Sequence, residues 1–216
     1  MLLRYTVLVI TLASCAHSQP SHRPSKQSSP AKCPKPAANT TNDVVPQLIR
    51  LIEGDSVQSI QAALALRFYG QDWGVGAPSH SAVVPALLDC AQDGTMREVS
   101  VTCMNSLKAI GESILPTLSA EIAKEPNQYY LYEIYAEVLP VERFGELVPY
   151  YVAACVRFQE FHNHGDDHIA SYVIDGFRRD RAKSESVLRA YSAKRASEVG
   201  CVTNAISELA KPRLED

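Results

Sequence analysis

The chain of 216 residues has room for one domain of about 150–170 residues plus extensions. Its net charge of −3 hides an asymmetry: all 24 acidic residues lie from Asp43 onward, where 16 Lys and Arg accompany them, so that part stands near −8. This argues against a nucleic-acid partner, which needs a basic face. No long run of alternating β-branched residues occurs and no hairpin turn joins two such runs, so the expected fold class is all-α.

Residues 1–14 carry one basic residue, Arg4, and an apolar run from Tyr5 to Ala13. The run is shorter than the roughly 20 residues of a membrane-spanning helix and reads as a secretory signal. Its end, Leu12-Ala13-Ser14-Cys15, resembles the lipobox of bacterial lipoprotein signal peptides. That resemblance implies cleavage before Cys15, a diacylglyceryl thioether on its sulfur and an acylated amine. No other cofactor is expected. Two or three acyl chains anchor firmly where one is marginal. Ala16 in place of Asp resembles the sorting pattern of outer-membrane lipoproteins, so the expected location is the outer membrane of a bacterial envelope.

From Cys15 to Asn42 the chain reads as a tether. Residues 16–42 hold five Pro, five Ser, four Lys or Arg and no acid. Such a segment buries too little apolar surface to fold. As a flexible coil it spans roughly 30 Å. Its basic residues either sit near anionic headgroups or serve in a plain spacer.

Residues 43–216 read as a repeat domain. At its centre is Val83–Gly111, two amphipathic helices joined by a tight turn. Val83, Val84, Leu87, Leu88 and Ala91 recur at helical spacing, as do Met96, Val99, Cys103, Leu107 and Ile110. Thr95 and Glu98 have capping-box spacing, Pro85 suits a helix start, and Gly111 suits a helix end. An upstream copy aligns Gly70 with Gly111 and Leu66 with Leu107, and an apolar-Pro signature recurs at Pro46, Pro85, Pro116 and Pro149, at intervals of 39, 31 and 33 residues. Recurrence at this period marks an α-solenoid. The pattern resembles HEAT-like repeats of the short, PBS-lyase type, clearest over Val44–Leu139, with an Asp…Arg pair (Asp93, Arg97) around the turn. Helices are predicted near 44–53, 56–69, 80–92, 95–110, 113–124, 127–139, 141–160, 166–178, 184–199 and 201–210, with Gly200 closing the penultimate one.

Three segments depart from the repeat. Trp73, the only Trp, sits in the loop Gly70–Ser79 as either a partner-binding anchor or a lid on the hairpin end. Tyr129, Tyr130, Tyr132 and Tyr135 fall on a second helix, the side that lines the partner-holding concave face in HEAT-like stacks. Tyr135 with Leu131 and Val138 reads as core, leaving Tyr129, Tyr130 and Tyr132 as candidate partner-binding residues. His162, His164 and His168 with Asp166 offer metal-ligand chemistry, or a solvated loop in which Gly165 separates the histidines and Asp166 caps the next helix.

Of six cysteines, lipid would consume Cys15; the other five are an odd number, so at least one stays unpaired or bridges chains, tether Cys33 being placed for that. Counting from the Asp93-Gly94 turn puts Cys90 and Cys103 roughly 9 Å apart along the helix axes, beyond disulfide reach, so both are expected as unpaired core residues. Cys155 and Cys201 are candidates for a pair. The expected function is a non-enzymatic, membrane-anchored scaffold that binds a protein partner through its repeat surface, with a metal-binding protein or metal-dependent enzyme at 162–168 as the alternative.

Overall fold

The computed structural model describes residues 41–54, 56–70, 78–93, 97–162 and 164–212. The signal peptide, Cys15, Cys33, Trp73 and the Thr95 half of the capping box lie outside these. Every regular element among the described residues is helical. The chain divides into two compact units, one ending at Ile110 and the other beginning at Gly111.

The first unit holds α1 (Thr41–Ile52), α2 (Val57–Gly70), α3 (Pro78–Asp93) and α4 (Arg97–Ile110). Helix α1 starts two residues inside the expected tether. Val45, Leu48 and Ile52 on α1 and Val99, Cys103, Leu107 and Ile110 on α4 are all buried, as their spacing predicts. The hairpins pack like on like: α1 against α3, and α2 against α4. Helix α2 touches all three others. It can do so because its buried positions are mostly small: Ser59, Ala62, Ala63, Ala65 and Gly70 accompany only one large residue, Leu66. Ser106 of α4 donates to the Ala63 carbonyl at 2.9 Å, satisfying a buried hydroxyl between the two second helices. Gly70 is the last residue of α2, and a Cβ there would lie 2.9 Å from Ile110 Cγ1 and 3.3 Å from Val83 Cγ1. Its counterpart Gly111 has φ 87° and open space around it. The two aligned glycines thus serve different needs, close packing in one and left-handed backbone in the other.

Two expectations change here. Pro46 and Pro85 lie inside α1 and α3 rather than at their starts, whereas Pro116 and Pro149 occupy first-turn positions of their helices. The apolar-Pro signature therefore does not mark one structural position. Cys90 and Cys103, expected unpaired, form a disulfide with Cα atoms 6.1 Å apart. Helices α3 and α4 pack directly on each other, and that packing sets the two Cα atoms within bridging distance. Side chains also lean toward their helix N-terminus. In an antiparallel pair that tilts Cys90 away from the turn and Cys103 toward it, and the two sulfurs converge.

The second unit begins with a 3₁₀ turn (Glu112–Ile114) and α5 (Leu115–Lys124), followed by α6 (Tyr129–Val138), a 3₁₀ segment (Val141–Glu146), α7 (Val148–Phe161), α8 (His164–Arg178), α9 (Arg181–Ser192), a 3₁₀ turn (Ala196–Glu198) and α10 (Val199–Ala210). Helix α8 is central, packing on α6, α7 and α10. A Cβ at Gly176 of α8 would lie 2.7 Å from Ala136 Cβ and 3.2 Å from its carbonyl oxygen on α6. Arg179, one residue beyond α8, donates to the carbonyls of Ala136 and Leu139 at 2.7 and 2.8 Å, closing the C-terminus of α6. Arg178 reaches the Glu208 carbonyl at the end of α10 at 3.3 Å. Cys155 of α7 and Cys201 of α10 form the second disulfide, Cα–Cα 5.9 Å.

The helix predicted over 141–160, with its irregularity expected at Pro149, is a 3₁₀ segment and a separate helix whose first turn holds Pro149. The helix predicted over 184–199 starts earlier because Asp180 caps it, accepting from the Lys183 amide at 3.0 Å. It ends at Ser192, and Gly200 lies inside α10 instead of closing a helix.

Gly176→Ala should lower stability by about 1–3 kcal/mol through overpacking against rigid backbone, overriding its helix-propensity gain of roughly 1 kcal/mol. Gly200→Ala, with nothing within 4 Å of the added Cβ, should be neutral or stabilising. Denaturant melts of the two variants decide the point; a stabilised Gly176→Ala would mean that α6 and α8 do not meet there.

Candidate functional site

The tyrosine helix α6 sorts its rings by helical position. Tyr130 and Tyr132 are 9% and 3% exposed, so neither offers a surface to a partner as the sequence suggested. Tyr132 donates to the Pro126 carbonyl at 2.8 Å and meets Tyr150 edge-on at 5.4 Å. Tyr135 is core, as expected, with its hydroxyl donating to Glu146 at 2.9 Å. Arg143 holds Glu146 in turn, at 2.7 and 3.0 Å. Val138, predicted with it, is only half-buried. Tyr129 alone of the four is exposed, at 45%.

The histidine segment also differs from expectation. His162 ends α7 in the left-handed region (φ 52°) with its ring 5.9 Å from Phe158. Helix α8 begins at His164 and runs through Gly165, so His164 and His168 share a helix after all. Asp166 is not its cap: it lies in the first turn, 3% exposed, paired with Arg157 of α7 at 2.6–2.7 Å. A desolvated carboxylate needs such a partner, and this one directs Asp166 away from the histidines. Among the described residues no group of three or more His, Cys, Asp or Glu is gathered so as to hold a metal.

What the structure does bring together is Tyr129 of α6 with His168 and Tyr172 of α8. Ring centroids are 5.4 Å apart for Tyr129–His168, 6.2 Å for Tyr129–Tyr172 and 6.4 Å for His168–Tyr172. Tyr129 and His168 are exposed and Tyr172 is half-buried. Burial raises the Tyr172 phenol above its usual range, and Glu133 and Asp175 beside it raise it further. Sequence reasoning missed Tyr172 and Glu133. The signal was present: His164, His168, Tyr172 and Asp175 follow one another at steps of four, four and three, a single helical face once the helix is started at His164.

Two open clefts carry less. One of about 560 Å³ in the first unit is lined by Ile49, Ile52, Glu53, Ala86, Asp89, Cys90 and Gln92. The other, about 330 Å³, is rimmed by Arg178, Arg179, Arg181 and Lys211, cations already engaged by Asp175, helix-end carbonyls, Glu185 and Glu208. No family model matches the chain, and neither does any curated protein or solved structure. No helix among the described residues is long and apolar enough to cross a membrane.

Burial pushes Tyr135 and Tyr151 up to about 12 from the usual 10. Between those values the folded chain holds protons that an unfolded one releases, so stability should fall as pH rises through the window. Titration of tyrosinate absorbance should show a delayed phase that denaturant moves back toward 10 and Tyr135→Phe diminishes. A single phase near 10 in the native protein would contradict the burial of both hydroxyls.

Proposed function

We propose that this protein is a lipid-anchored bacterial envelope protein that holds a protein partner on the outward face of α6 and α8, without catalysing a reaction. The observation that carries the partner-binding reading is the Tyr129–His168–Tyr172 cluster, where three rings stand together at the surface, two of them exposed. Large, stiff, polar-tipped rings give contact area at low entropy cost.

Three further features support the reading. The Leu12–Cys15 resemblance supplies the anchor. The two disulfides, one in each unit, suit an oxidising compartment outside the cytoplasm. The pairing of second helix on second helix, α2 on α4 and α6 on α8, agrees with HEAT-like stacking, in which such helices line the binding side; that step is analogy at the level of fold.

The test is photocrosslinking in intact bacteria. A photoreactive residue replacing Tyr129 should give discrete crosslinks to a specific envelope protein, while the same residue at exposed Glu142 should not. Crosslinks indistinguishable between the two sites would remove the face. Independently, Cys15→Ala should release the chain from the membrane fraction; unchanged fractionation would remove the lipid anchor.

A further inference from the structure

The charge of the same two helices bears on what occupies them. Together α6 and α8 hold five carboxylates, Glu133, Glu137, Asp166, Asp167 and Asp175, and a single cation, Arg178, at the far end of α8. Asp166 is turned inward to Arg157, and Arg178 sits on Asp175 at 2.7 Å. The outward stripe of α6 is Tyr129, Glu133 and Glu137 at steps of four. The facing stripe of α8 is His164, His168 and Tyr172. Neither stripe contains Lys or Arg. Glu133 is near enough to the Tyr172 phenol to raise it, which places that carboxylate beside the rings.

An aromatic platform edged by carboxylate is attractive to a cation twice over. The ring faces carry negative quadrupole charge, and the carboxylate accepts the cation's N–H groups in a charge-assisted bond. The opposing influence is the positive end of each helix dipole near Tyr129 and His164. It is worth about half a charge per helix, and in α8 the acids of the first turn, Asp166 and Asp167, already complement it. Full carboxylate charges therefore set the sign of the face. Between the two cationic side chains, guanidinium is planar, more weakly hydrated and better suited to stacking than an ammonium.

We infer that the face built from Tyr129, His168, Tyr172 and Glu133 receives an arginine side chain presented by the protein partner, its guanidinium stacked on the exposed Tyr129 ring and donating to Glu133. This rests on the reading of that face as a docking surface.

The test uses the full chain and a fluorescent tetra-arginine peptide, with the same peptide carrying citrulline, isosteric and uncharged, as its control. Anisotropy should show binding of the arginine peptide and none of the citrulline peptide. Tyr129→Ala and Glu133→Gln should each weaken it about fivefold, the scale of a partly desolvated cation–π contact, and Glu142→Gln should leave it unchanged. Equal binding of both peptides, equal loss in Glu142→Gln, or no binding at all overturns the arginine assignment. If the peptides fail while crosslinks at position 129 still capture a discrete protein, the face is a docking surface for another chemistry; if both fail, the docking reading fails with it.

Discussion

Close approach between helices at positions without side-chain bulk is the constraint on which each unit depends. Helix α2 meets three neighbours because its buried positions are Ser, Ala and Gly with Leu66 as the single large exception. Helix α8 meets α6 backbone to backbone at Gly176 and Ala136. Interiors pack at the density of organic crystals, so a methyl group added at such a point forces whole helices apart. Once the central helix is seated, the large residues of its neighbours, Leu87, Leu107 and Ile134 among them, bury completely around it.

Close helices bring polar groups against one another's backbones, and in both units these groups join elements distant in sequence. Ser106 answers Ala63 across 43 residues, and Arg179 closes the end of α6 from a position 43 residues downstream. The Ser106 hydroxyl would otherwise be buried unpaired, and the Arg179 guanidinium takes up the last carbonyls of α6. The disulfides act on the other side of the equilibrium, closing loops of 13 and 46 residues in the unfolded chain, worth about 3 and 4 kcal/mol in the chain-entropy model. Two small units that each bury one bridge hold together with a modest core.

The surface chemistry follows from the same packing. Burying Tyr130, Tyr132 and Tyr135 of α6 leaves exposed Tyr129 and half-buried Glu133 on the remaining side. Seating Gly176 against Ala136 brings the outward side of α8 level with it, so His168 and Tyr172 stand beside Tyr129. Part of the acidic excess of residues 43–216, Glu133 and Glu137, thereby stands with three aromatic rings along two adjacent helices.

The sequence by itself determined the class of structure, since apolar residues recurring at steps of three and four are incompatible with a half-buried strand. It also determined most of the buried face of α4 and the core role of Tyr135. It could not decide how the four tyrosines divide, because one face or another is buried only by what packs there. It misplaced Cys90 and Cys103, because side-chain lean and the packing of α3 on α4 shift the register by a few ångströms, the whole margin on which a disulfide turns. The aromatic face waited on tertiary contact: His168 and Tyr172 stand four apart within the helix predicted over 166–178, but only the packing of α8 on α6 sets Tyr129 beside them. Local pattern names the helices, and tertiary contact chooses which of their residues meet.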